Sequence, residues 1–119
     1  MRTLKFRAWD NVQKRYLTEE DGLQLSLDGS CVIFTDGGWY APDITLEQYT
    51  GLQDRGVEIY EGDILRWVNS TGREITAPVV WNTRAWCWTA GDYMLGGLLE
   101  FDLEVVGNIH EDLKLLEAK

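Results

Sequence analysis

The chain holds one histidine, His110, and only three serines, Ser26, Ser30 and Ser70, in 119 residues. No serine lies in a Gly-x-Ser-x-Gly turn, and phosphate-cradling loops and dinucleotide fingerprints are missing as well. These shortages point away from an enzyme. Cysteine is equally sparse. Cys31 and Cys87 have neither metal-ligand spacing nor the density of a disulfide framework, so both read as small core hydrophobes in a reducing compartment. Either thiol with His110 would supply a nucleophile and a base, but their segments carry no loop signature for such a site. No run approaches the ~18 apolar residues that a membrane span needs, and Met1-Arg2-Thr3-Leu4-Lys5 lacks the apolar stretch of a secretory signal. A soluble cytoplasmic protein without cofactor or membrane contact is expected.

Basic residues are also in short supply: 11 Lys and Arg against 20 Asp and Glu, for a net charge of −9. The imbalance is uneven. Residues 1–15 carry five bases against Asp10, whereas residues 16–63 carry eleven acids against Arg55. A basic N-terminal hairpin meeting an acidic face, within one subunit or between neighbours, is one reading; a solvated acidic surface that maintains solubility is the plainer one. At this length the chain is one domain's worth and buries roughly two thirds of its unfolded surface, enough for a core without metal or disulfide.

Short apolar runs alternate with polar residues between Gly, Asp and Asn, the period-2 signal of half-buried strands. Leu4, Phe6 and Ala8 lead to a turn at Asp10-Asn11, with Tyr16-Leu17 returning. Leu23, Leu25 and Leu27 lead to Asp28-Gly29, with Val32 to Phe34 returning. Both read as hairpins. Residues 35–42 read as a loop presenting Trp39 and Tyr40, and residues 44–49 as a short helical turn. Further strands are expected at residues 64–68, 75–81, 85–89 and 98–106, with Pro78 marking an edge or bulge. Residues 91–97 read as a loop, and Asn108 as the cap of a C-terminal helix from Ile109 to about Ala118. The expected fold is mainly β: an SH3-like small barrel over residues 46–119, an N-terminal β-hairpin extension over residues 1–45, and a short C-terminal helix.

Three blocks stand out: Phe6-Arg7-Ala8-Trp9-Asp10, the long segment from Gln48 through Tyr49-Thr50-Gly51, Asp54, Gly56 and Ile59-Tyr60-Glu61-Gly62-Asp63 to Ile64, and Val105-Val106-Gly107-Asn108-Ile109-His110-Glu111. In this order they resemble the YopX family of small phage and prophage proteins, which has no agreed biochemical activity. Two departures are visible: the turn at Asp54-Arg55-Gly56 is one residue shorter than usual, and His110 stands where relatives tend to carry Tyr. The resemblance implies a phage accessory protein working in the host cytoplasm, with the block residues in structural roles.

Two acidic groupings invite a functional reading. Glu58, Glu61 and Asp63 crowd one turn, yet a hard-cation loop needs four or more oxygens at regular spacing, so no metal is expected. Glu100, Asp102 and Glu104 would share one strand face, either as a strip for a basic partner or as a charged face that discourages edge pairing. The six tryptophans are the stronger signal. Trp86 and Trp88, two apart, would lie on one strand face with Cys87 on the other, and with Trp81 they would line a groove or fill the core.

Three functions follow. The leading one is a non-enzymatic protein that binds a host protein or copies of itself through Trp39, Tyr40 or the β-extension. The second is a nucleotide or single-stranded nucleic-acid binder using Trp81, Trp86 and Trp88, which the negative charge disfavours. The third is an acidic DNA mimic, although ten net charges match only about 17 Å of duplex and Asp28, Asp36, Asp43 and Asp54 already have turn-forming reasons to be acidic.

Overall fold

The computed structural model describes residues 5–17, 23–25, 31–35, 38–40 and 43–117. The chain divides into two compact units, one of Phe6–Glu47 and one of Met1–Lys5 with Gln48–Lys119. Among the described residues it is mainly β, with two one-turn helices.

In the smaller unit, β1 (Phe6–Asp10) and β2 (Arg15–Leu17) form the first expected hairpin, with Ala8 opposite Leu17 and Trp9 opposite Tyr16. Asp10 makes the turn. Its Oδ1 accepts the amides of Val12 and Gln13, and its carbonyl accepts the Lys14 amide at 2.9 Å, leaving Lys14 at φ 60. Next come β3 (Leu23–Leu25), β4 (Cys31–Thr35) and β5 (Gly38–Tyr40), an antiparallel meander in chain order. The pairing of β3 with β4 matches the second expected hairpin. Asp28 and Gly29 lie outside the described residues. The loop expected at residues 35–42 is corrected: Trp39 and Tyr40 belong to β5, opposite Phe34 and Ile33. Thr35 stands opposite Gly38; residues 36 and 37 lie outside the described residues.

The helical turn expected at residues 44–49 is also corrected. These residues start β6 (Ile44–Asp54), whose pattern buries Glu47 and Tyr49. A carboxylate on the buried side hides the alternation from a reading based on hydropathy. Arg7 explains why it is tolerated: its Nε donates to Glu47 Oε1 at 2.8 Å, and the Tyr16 hydroxyl donates to the same oxygen at 2.9 Å. Ala8, Leu17, Ile44 and Leu46 supply the small apolar cluster of this unit, and Trp9 packs edge-on against Tyr16.

In the larger unit, β6 continues and pairs with β7 (Val57–Tyr60), with a register shift between Tyr49 and Gln53 where Gly51 takes φ 86. The short family turn is closed by Arg55 and Gly56 at φ 53 and 84. Two consecutive left-handed residues make a primed two-residue turn, so no third residue is needed. Beyond β8 (Asp63–Val68) and β9 (Glu74–Asn82) follow β10 (Cys87–Ala90), β11 (Tyr93–Met94), α1 (Leu95–Leu98), β12 (Glu104–Asn108) and α2 (Lys114–Glu117). The sheet order is β11-β10-β9-β8-β12, curled into a half-barrel.

Pro78 sits in an inner strand, correcting the edge expected for it. The reason is a change of partners along β9, which pairs with β8 through Glu74–Pro78 and with β10 through Val79–Asn82. Proline, lacking an amide proton, falls where the ladder switches sides. The strand expected at 98–106 is cut to β12 because Leu95 and Leu98, one helical turn apart, are both buried as α1. Glu100, Asp102 and Glu104 therefore form no common strip; only Glu104 lies on a strand, where Arg66 Nε donates to it at 3.0 Å, and Asp102 pairs with Arg55. The C-terminal helix is likewise shorter than expected. Asn108 Oδ1 accepts the amides of His110 and Glu111 and its carbonyl that of Asp112, which closes a turn first and leaves α2 to begin at Lys114.

Trp67, Ile59, Leu65, Val79, Leu95, Leu98 and Leu103 are the centre of the core. Gly107 lies at a register shift against β8. An added Cβ there would come within 2.6 Å of Asp112 Cγ, displacing a carboxylate whose Oδ2 accepts the Asn108 amide at 3.1 Å. Gly107→Ala is expected to lower the unfolding free energy by about 1–2 kcal/mol, measured by urea denaturation.

Candidate binding surface

β9 and β10 place Trp81 directly opposite Trp88. Their rings meet edge to face, 5.1 Å apart at 74°. The turn that joins the strands is led by Asn82, whose Oδ1 accepts the amides of Arg84 and Ala85 at 2.9 Å and whose carbonyl accepts the Trp86 amide at 2.8 Å. This closure repeats the Asp10 turn, and in both the residue four positions on is left-handed: Trp86 has φ 54 and Lys14 φ 60. Trp86 is thus a turn residue, not a strand residue as expected, and the alternation assigned to Trp86, Cys87 and Trp88 breaks. All three residues border one hollow.

Trp86 is 77% exposed and Trp81 38%, with their rings 6.5 Å apart at 80°. The three indoles border two open hollows. One, of about 450 Å³, adds Leu52, Cys87, Met94 and Leu95. The other, of about 470 Å³, adds Gln48 and Glu61. Cys87, expected in the core, is half-buried with a free thiol and borders the first hollow. Met94, 65% exposed, was not foreseen; a lone methionine between glycine-rich turns gives no periodic signal. The side chains of Trp39 and Tyr40 lie outside the described residues, so the structure assembles Trp81, Trp86 and Trp88 only.

The acidic turn separates by role. Asp63 is buried and its Oδ2 accepts the Tyr60 amide at 2.8 Å. Glu58 accepts from Lys5 Nζ at 2.7 Å; this hydrogen bond holds the Glu58 carboxyl below its usual range and the Lys5 ammonium above its own. Glu61 borders the second hollow. Among the described residues no three His, Cys, Asp or Glu are grouped to hold a metal. His110 sits in the turn after β12, its amide donated to Asn108.

The central and C-terminal blocks meet at one glycine. Gly62, at φ 89, donates its amide to Val79 and accepts the Ile109 amide at 2.9 Å, while Glu61 donates its amide to Gln48. Thr50 Oγ1 donates to Ile59 at 2.7 Å and fixes the strand beside Gly51. With these blocks placed, the sequence model of the YopX protein family matches residues 5–117. The chain belongs to the YopX family. No curated protein matches it. In this YopX chain the residues of the central and C-terminal blocks close turns and tie strands together, and the indole surface rises from β9, β10 and their connecting turn, outside all three blocks. Among the described residues no helix is long and apolar enough to cross a membrane.

Proposed function

We propose that this YopX chain is a non-catalytic interaction protein that presents Trp81, Trp86, Trp88 and Met94 to a partner protein. The conformation of Trp86 carries the reading. A left-handed residue at a hairpin corner is ordinarily Gly or Asn, and a bulky side chain there costs about 1–2 kcal/mol. Trp86, 77% exposed as a residue, adds an exposed apolar ring to that cost. Lys14 holds the equivalent corner after Asp10, so this corner accepts residues other than glycine; what sets Trp86 apart is a large apolar ring left exposed there, and that exposure points to a use at the surface. Tryptophan and methionine are the residues that protein interfaces enrich, and a clustered aromatic pair at the centre of an interface contributes about 2 kcal/mol or more.

The family resemblance suggests a phage or prophage accessory protein acting in the host cytoplasm, with a host protein as partner. Stacking of a nucleotide on the same rings is the second reading, favoured by three adjacent indoles and opposed by the net charge of −9, since phosphate affinity comes from Lys and Arg. Affinity columns carrying wild type or Trp86→Gly separate these. The expected result is one host protein retained by wild type and at least about tenfold less by the variant, the loss of a hot spot of that size. Equal retention on both columns, or Trp quenching by a mononucleotide in place of protein retention, would defeat the proposal. Light scattering of both proteins shows whether the partner is a second copy.

A further inference from the structure

The β11 side of β10 is an unfinished strand edge. β11 pairs with β10 at Thr89 and Ala90 alone, whereas β9 pairs with it along all of Cys87–Ala90. Ala90 faces Tyr93 across the two-residue turn Gly91-Asp92, and the closing pair of such a turn exchanges its main-chain hydrogen bonds. Every second residue of an antiparallel strand turns its amide and carbonyl the same way, so those of Trp88 face the β11 side as well. There β11 has already ended. The chain enters α1 at Leu95, and among the described residues no strand residue stands opposite Trp88 on that side.

The first hollow, of about 450 Å³, lies at this gap, bordered by Cys87 and Trp88 of β10 and by Met94, Leu95, Gly96 and Gly97 of the chain that leaves β11. Gly96 and Gly97 fill the middle of α1, where glycine is a poor choice beside alanine. Nothing lies within 4 Å of a Cβ built on either, and neither has a positive φ, so this chain's own packing and conformation do not call for glycine. A bare main chain at the border of a hollow lets another main chain approach closely. Side chains offer little polar purchase: Thr50 Oγ1 already donates to Ile59 and accepts the Leu52 amide, and no residue bordering the hollow is charged. An uncharged extended segment matches these features, its main chain meeting the open edge and its alternate apolar side chains lying on the indoles.

We infer that the first hollow takes an uncharged apolar segment of the partner protein, added as a short strand beside Cys87 and Trp88 and crossing over Gly96 and Gly97, an inference that rests on the partner-binding reading above. The probe is the peptide acetyl-Thr-Leu-Thr-Leu-Thr-amide against the same peptide N-methylated at its three central residues, which keeps every side chain and removes the amide donors. Backbone amide resonances of the isotope-labelled chain supply the readout. The unmethylated peptide at millimolar concentration should move the Trp88, Gly96 and Gly97 signals, that of Trp88 downfield, and the methylated one should bind at least about fivefold more weakly. Gly96→Ala and Gly97→Ala should weaken binding by about the same factor. Both should unfold at a urea concentration no lower than wild type, because alanine suits a helical turn better.

Equal binding of both peptides, or of neither, would overturn the inference. So would glycine variants that bind as wild type does or that unfold more easily. A Trp88 amide that shifts with protein concentration before any peptide is added would place a second copy on the edge and overturn it too. Trp86-dependent retention of a host protein together with a failed peptide test would sink the strand site and leave the partner-binding reading standing; loss of both results removes both.

Discussion

Trp67→Ala is expected to lower the unfolding free energy by about 3–5 kcal/mol, the range for removing a buried aromatic side chain. Trp67 is 1% exposed, lies on β8 between β9 and β12, and meets Tyr93 edge to face at 5.7 Å. Its removal leaves a cavity that strands paired on both sides of β8 cannot collapse to fill. The indole nitrogen adds a second, separable effect. Among the described residues Nε1 is buried and has no hydrogen-bond partner, a state that costs about 1–3 kcal/mol. Trp67→Phe removes that donor while keeping most of the ring, so its net cost is expected to stay below about 2 kcal/mol. Urea unfolding of the pair checks both statements; equal losses would show that the nitrogen is satisfied in solution.

The second large effect is expected at Arg7. Glu47 is 2% exposed, and Arg7 supplies the neighbouring positive charge through Nε at 2.8 Å. Removing one member of a buried pair leaves the other charge in a poorly solvated place, at a cost of about 3–5 kcal/mol. Arg7→Ala is therefore expected to destabilise the hairpin unit by about 3 kcal/mol, with Tyr16 retaining part of the carboxylate's hydrogen bonding. Adding Glu47→Gln should recover at least half of the loss, because an amide accepts from Tyr16 without needing a cation. Hydrogen exchange at Ala8 and Leu17 reports this unit directly. A double variant as unstable as Arg7→Ala alone would mean that Arg7 acts through its packing on Tyr16, 4.6 Å away, and not through its charge.

These two residues also show what the sequence discloses and what it conceals. Local patterns were readable: the alternation around Ala8 and Leu17 gave the first hairpin, the apolar run at residues 64–68 gave β8, and the strand spacing gave a mainly β fold, which curls as a half-barrel. Three features depended on what the fold places around a residue, two of them on partners distant in the chain. Glu47 looks like a surface residue until Arg7 is placed beside it, so β6 resembled a helical turn. Pro78 looks like an edge marker until β9 is seen to exchange β8 for β10. Leu98 looks like the start of a strand until its burial beside Leu95 makes a helical turn the better use of both.

The binding surface was half legible. Spacing brought Trp81 and Trp88 onto facing strands, but it put Trp86 on the wrong element, because the Asn82 turn that contains it has no signal in hydropathy. The same Asx-led closure appears after Asp10 with Lys14 at the corner. Asn108 leads the same closure without a left-handed corner, so an Asp or Asn at the leading position marks the turn and not the handedness of its fourth residue.

Urea denaturation of Trp86→Gly and Trp86→Ala beside wild type is the most direct test of the central claim, that the Trp86 indole serves a partner and not the fold. Both variants lose the ring; only alanine keeps a Cβ in the left-handed region. Trp86→Gly should unfold within about 1 kcal/mol of wild type and about 1 kcal/mol above Trp86→Ala. A Trp86→Gly protein less stable than wild type by more than about 2 kcal/mol, or no more stable than Trp86→Ala, would show that the indole holds the fold together and contradict the account.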